Sequence, residues 1–205
     1  MSTENQPAAV AQGFGAGARE RLPMPATEQM NDAQRRAAQA LIDGPRKGVY
    51  GPFLPLMRSP ELLDRMAKVG EYLRFGSVLQ ARVRELATCA AARHVGNQFE
   101  WLMHAPLARQ AGVAASAIEA LRLGARPRDL APDEEAALDL ATELLHTHGC
   151  SDPTYDAAIA QFGEQGVVEL VSLVGYFVMV SWLMNVARTP GPVAANGPAL
   201  DAFPA

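Results

Sequence analysis

Hydrophobic positions along this chain recur at three- and four-residue intervals over most of its length, with almost no stretch that alternates. That is the period of helices rather than strands, and it predicts an all-α fold. A first helix is read from Thr27 and Glu28 to about Ile42, closed by Asp43-Gly44-Pro45. The segment from Lys47 to Ser59 reads as a loop with one short helical turn. Ser59 then caps a helix that has Pro60 at its first position, where a missing N–H costs nothing, and that runs to about Phe75 before Gly76-Ser77.

The next helix spans roughly Gln80 to Val95, with Val83, Leu86, Ala87, Ala90 and Ala91 as its apolar stripe. Glu85 and Cys89 fall on the opposite side, which faces either solvent or a second packed layer. After Gly96 a helix is predicted from about Asn97 to Gln110, with Phe99, Met103 and Pro106 along its stripe and Glu100 and His104 flanking it, part-buried. A short helix follows from Ala115 to Leu123. The acidic first turn Pro132-Asp133-Glu134-Glu135 opens another, reaching about His146. Asp152-Pro153 starts a further helix, and Gly163 to Gly166 separates it from a long apolar one ending near Arg188. The expected organisation is a flexible arm over 1–26, one all-α domain over 27–188 and a Pro-, Gly- and Ala-rich tail over 189–205.

The chemistry concentrates around one helix. Residues at i and i+4 stack on a single helix face, so Glu100 and His104 can share a hydrogen bond and offer an acid/base pair to one pocket. An imidazole near a carboxylate is expected close to neutrality, able to move protons either way. The competing account is an ordinary surface pair, worth only a few tenths of a kcal/mol. Trp101 and Phe99 beside the pair suggest apolar walls.

At these residues the sequence resembles the carboxymuconolactone decarboxylase / alkylhydroperoxidase D superfamily, whose core carries Glu, eleven residues, Cys-x-x-Cys, three residues and His. Glu85 and His104 match the two ends of that pattern, while Asn97 and Glu100 stand at the two cysteine positions. The run Phe99-Glu100-Trp101 before the histidine is similar to the decarboxylase branch. Pro106 to Val113, Ser59 to Leu63 and Glu71-Tyr72-Leu73-Arg74-Phe75 also fit, so the resemblance covers about residues 48 to 125. It implies a helical bundle assembled as a homotrimer or homohexamer. It also implies a cofactor-free lyase acting on a small acidic lactone or related carbonyl acid, with His104 as proton carrier, Glu100 as its partner and Glu85 as a relay. Asn97 either hydrogen-bonds a substrate carbonyl or caps its helix. Arg82 and Arg109 are the candidate cations for an acidic substrate, although surface solubility explains them equally.

Two alternatives stay open: the thiol-dependent peroxidase chemistry of the other branch, and a non-catalytic helical oligomer that binds a small ligand. A Cys-x-x-Cys cycle is impossible at the family position. Cys89 sits a turn from Glu85, whose charge disfavours a thiolate, and Cys150 has no partner at dithiol spacing. His146-Thr147-His148-Gly149-Cys150 brings three potential ligands together, but residues two apart on a helix diverge, and no second cluster completes a metal site.

Composition narrows the field further. A chain of 205 residues with 49% hydrophobic and 20% charged residues can bury a sizeable core. A formal charge of −4 carries no footprint for nucleic acid. Two cysteines make no disulfide framework, and a reducing cytoplasm is the simpler setting. Val167 to Val186 could pass for a membrane span, but Glu169 would be costly in lipid and a buried core helix fits better.

Overall fold

The structure, a computed structural model, describes residues 10–12, 19–192 and 198–201. Among these the regular elements are eight α-helices and no strand, with one isolated antiparallel bridge between Val10 and Gly191. The helices are α1 (Asp32–Asp43), α2 (Phe53–Leu56), α3 (Pro60–Glu71), α4 (Ala81–His94), α5 (Gln98–Gln110), α6 (Ala115–Arg122), α7 (Pro132–Thr147) and α8 (Asp152–Ala187).

The first helix begins later than its sequence suggests. Thr27–Gln29 form a 3-10 turn, and the true cap is Asn31. Its side chain accepts from the Gln34 N–H at 2.9 Å while Gln34 Oε1 accepts from the Asn31 N–H at 2.9 Å. This reciprocal capping satisfies two backbone donors at once, which Thr27 does not do. At the far end of the chain α8 is broken at Gly163, whose φ of 64° lies in the left-handed region where a Cβ is costly. The expected separation of two helices occurs there.

Small side chains make α4 the central helix. Ala87, Ala90, Ala91 and Ala92 are buried with Val83, Leu86, Thr88 and Cys89, and they let neighbours approach from more than one side. On one side Val83, Ala87 and Ala91 pack with Leu140 of α7 and Leu170, Val174 and Phe177 of α8. On another, Leu86 and Cys89 pack with Trp101, Leu102 and Ala108 of α5 and Ile118 of α6. The face that carries Glu85 and Cys89 therefore meets a second packed layer, not solvent. A third cluster joins α1, α2 and α3 through Leu41, Phe53, Leu56, Met57 and Leu63.

Helix α8 is long and apolar enough to cross a membrane, but 56% of its most apolar window is buried inside the fold. Glu169 within it accepts from Tyr72 Oη at 2.6 Å, the Val78 N–H at 2.8 Å and Gln165 Nε2 at 2.8 Å. The first two of these bonds tie α8 to the π-helical turn Tyr72–Gly76 and the loop that leads into α4.

Of the expected arm and tail, residues 1–9, 13–18, 193–197 and 202–205 lie outside the described residues. The described parts are bonded to the domain around the α4–α5 turn. Gln12 donates to Gly96 O at 3.1 Å and accepts from the Gln98 N–H at 2.7 Å. Gln98 in turn donates to Leu200 O at 2.7 Å and accepts from the Leu200 N–H at 3.0 Å.

Candidate active site

Antiparallel helices joined by a tight turn bring together residues at matching distances from that turn. Gly96, with φ of 63°, supplies the left-handed residue that ends α4, and the Asn97 N–H bonds back to Ala92 O at 2.9 Å. Asn97 then caps α5: its Oδ1 accepts from the Glu100 N–H at 2.8 Å. Its Nδ2 donates to Asn185 Oδ1 at 2.8 Å and Ser181 O at 3.3 Å, pinning the turn to α8. Folded back in this way, Glu85 of α4 meets His104 of α5.

His104 is held from both ring nitrogens. Nδ1 lies 2.6 Å from Glu85 Oε2, and Nε2 lies 3.2 Å from Glu100 Oε2. The ring is 4% exposed and Glu100 3%, so the pair is fully buried, more so than its position flanking the stripe suggests. Phe177 meets the imidazole edge-on at 4.8 Å. Burial alone would lower the His104 pKa, but the Glu85 charge and the hydrogen bonds the ring donates to both carboxylates outweigh it and raise it to about 9. The expectation of a near-neutral imidazole is corrected here. At neutral pH His104 is a cation that donates from both nitrogens, because two carboxylates face it instead of one.

A small cavity of about 30 Å³, room for one water, opens on this group. Glu100 and His104 line it together with Arg46, Tyr50, Arg74 and Tyr176. Glu85 is not among the lining residues and stands behind the imidazole. Close packing at Gly70 lets the wall form, since a Cβ there would collide with the Tyr176 hydroxyl and come within 3.0 Å of Arg46 Nη2. The Tyr176 pKa is raised to about 12, by burial first, with the neighbouring arginines opposing and Glu100 adding.

Of the residues singled out from sequence, Glu85, Glu100 and His104 come together and four do not join them at the cavity. Asn97 is wholly buried, and its side chain is committed to capping and to α8. Trp101 is 1% exposed in the core with α4 and α6, its Nε1–H donating to Pro198 O at 3.1 Å. Arg82 is paired with Asp133 at 2.6 Å, joining the first turns of α4 and α7. Arg109 lies exposed at the far end of α5, beside a separate cleft that it shares with Trp101 and Pro198. Arg46, Tyr50 and Tyr176 carried no local signal, because the loops and helix that supply them are remote in sequence. Arg74 stood within the segment that fitted the superfamily and was not singled out.

A larger cleft of about 520 Å³ is lined by Ala90, His94, Leu121, Leu138, Leu145 and His146, and no carboxylate is among its lining residues. Its ionisable lining is His94, His146, Arg93 and Arg126, whereas the carboxylate–imidazole group lines the smaller cavity. His146 donates from Nδ1 to Thr142 O at 2.8 Å and meets His94 edge-on at 4.8 Å. No group of three metal-binding side chains occurs among the described residues.

Residues 60–143 match the model of the "Carboxymuconolactone decarboxylase family", a span that contains Glu85, Glu100 and His104. The fold is shared with solved structures across nearly the whole chain. An uncharacterized peroxidase-related protein from Silicibacter sp. TM1040 has a TM-score of 0.66 at 16% identity, covering 98% of this chain and 100% of that one. Over residues 60–143 the chain is similar to that family, and its fold is that of the alkylhydroperoxidase D-like proteins. An alkylhydroperoxidase AhpD core protein from Ralstonia eutropha JMP134 gives a TM-score of 0.66 at 18% identity, covering 83% of this chain and 92% of that one. A cysteine-to-alanine variant of the debrominase Bmp8, in complex with 2,3,4-tribromopyrrole, gives 0.64 at 11% identity, covering 88% and 95%. No curated protein matches the sequence. Arg46, Tyr50 and Tyr176 fall outside the matched span, so this wall of the cavity is not part of what the family model recognises.

Proposed function

We propose that the chain is an acid/base decarboxylase of a small carboxy-lactone or related carbonyl acid. The observation that carries this reading is His104 held between Glu85 and Glu100, with its Nε2 side and Glu100 at the cavity. Loss of CO2 leaves an electron pair on carbon that a conjugated carbonyl accepts as an enolate. A buried cation beside that oxygen stabilises the charge as it develops. His104 then gives its Nε2 proton to carbon, directly or through Glu100, and recovers one from solvent. One proton is consumed for each CO2 released. Glu85 behind the ring keeps the imidazole oriented and charged between turnovers. The reaction calls on no cofactor, since the substrate's own carbonyl is the electron sink.

Dithiol chemistry lacks its thiols at this site. Asn97 and Glu100 occupy the cysteine positions of the motif. Cys89 is fully buried, and burial followed by the Glu85 charge pushes its thiol well above the ordinary range; Cys150 is exposed elsewhere.

Assembly into homotrimers or homohexamers goes with this reading. Val168, Trp182 and Val186 are exposed along one face of α8, a patch that supports contact between copies. Sedimentation of the purified protein tests it.

The deciding experiment is turnover of 4-carboxymuconolactone, followed by ultraviolet absorbance and CO2 release, with His104→Asn alongside. Loss of a proton carrier costs about 10²- to 10⁴-fold in rate. Turnover in the wild type that survives His104→Asn would defeat the assignment, and no turnover in either protein would reject this substrate.

A further inference from the structure

We propose that Arg46 and Arg74 form an anion subsite beside His104 that holds a substrate carboxylate retained through the reaction. The subsite itself rests on geometry; that its carboxylate is the retained one rests on the decarboxylase reading.

Both guanidiniums line the same cavity as Glu100 and His104. Arg46 is only 9% exposed, and its Nε is buried without a hydrogen-bond partner. Its Nη2 donates to Ala67 O at 3.0 Å, and its charge sits 4.7 Å over the Phe53 ring. The Nε of Arg74 is likewise buried and unpartnered. Neither arginine forms an ion pair with a described carboxylate, whereas Arg82, Arg122 and Arg126 all do. Burying a charge without a counter-charge is costly, so the buried Arg46 beside the half-exposed Arg74, neither of them ion-paired, marks a place that an anion completes. A guanidinium offers parallel N–H donors that match the two oxygens of a carboxylate. With His104 protonated, three cations stand at this cavity against the carboxylates of Glu85 and Glu100, with Glu71 acting on Arg46 from outside its lining.

The leaving carboxylate is the wrong occupant. Its charge disappears as CO2 forms, so two guanidiniums gripping it would stabilise the ground state more than the transition state. A carboxylate that keeps its charge anchors the ring without that penalty. The substrate therefore carries two carboxylates, with the one to be lost lying toward the apolar side formed by Phe99 and Phe177. Entry of a ring requires the half-exposed Arg74 and Tyr50 side chains to give way, since the cavity as it stands admits a single water.

The test uses acetate as the probe and acetamide as its uncharged counterpart, titrated into the full-length protein at constant ionic strength and followed by ligand-detected NMR. Saturable binding of acetate but not acetamide is expected, about tenfold weaker in Arg74→Gln and intermediate in Arg74→Lys, which keeps the charge but loses the fork. Thermal melts confirm that each variant is folded, and Arg46→Lys provides a second route if one is not. Equal acetate binding by wild type and Arg74→Gln, or none by the wild type, overturns the subsite. In turnover, Arg74→Gln should raise KM about tenfold with a smaller effect on kcat. Turnover that depends on His104 but not on Arg74 sinks the subsite and leaves the decarboxylase reading standing. Arg74-dependent acetate binding without any decarboxylation does the reverse.

Discussion

Replacing Glu85 by Gln removes a negative charge 2.6 Å from His104 Nδ1 while keeping the side chain's volume. In the folded protein the His104 pKa is raised from 6.5 to about 9. The folded state therefore holds this proton more tightly than the unfolded chain does, and the stabilisation is complete below pH 6.5 and lost as pH rises through about 9. At about 1.4 kcal/mol for each tenfold change in proton affinity, the rise is worth about 3 kcal/mol. A single opposite charge at this range moves a pKa by about one to three pH units, so Glu85→Gln should lower the His104 midpoint by that amount and shrink the alkaline loss in proportion. NMR titration of the imidazole ring reads the midpoint directly. Urea unfolding at pH 6.5 and above pH 9, taken as wild type minus Glu85→Gln, reads the stability and cancels the tyrosines and lysines that titrate nearby. A wild-type midpoint at or below 6.5, or one that Glu85→Gln leaves unmoved, would refute the doubly clamped imidazolium.

Three further outcomes are expected. Asn97→Ala should destabilise the protein by about 1–2 kcal/mol in urea unfolding, since it removes a helix cap and leaves the half-buried Asn185 side-chain oxygen without its donor; a near-neutral effect would reject the capping role. Cys150 should react with an aromatic disulfide reagent in the folded protein and Cys89 only after unfolding, with no loss of decarboxylation when Cys150 is blocked. Gly70→Ala should cost about 1–3 kcal/mol and disturb the cavity, because the added Cβ meets the Tyr176 hydroxyl and Arg46; a thermal melt matching wild type would show that the wall yields freely.

The helical class, the order of helices and the pairing of Glu100 with His104 follow from spacing alone, because a helix fixes its i,i+4 neighbours whatever surrounds it. The position of Glu85 was half legible. The motif named it, and the short Val95–Gly96 turn implies an antiparallel partner at matching distance, but the wheel of α4 by itself left its face open between solvent and a second layer. What the tertiary structure decided is the charge of the site. His104 is a cation because α4 delivers a second carboxylate to it, and no local pattern reports the electrostatic sum of two packed helices. The arginines show the same limit. Arg82 and Arg109 lie close to the motif in sequence and away from the cavity in space, with Arg82 bound to Asp133 of α7. Arg46 comes from a loop far upstream and Arg74 from the π-helical turn just ahead of α4, and the contact between Gly70 of α3 and Tyr176 of α8 helps to seat Arg46 at the cavity. Sequence determines which side chains share an element; which charges share a cavity is settled by long-range packing.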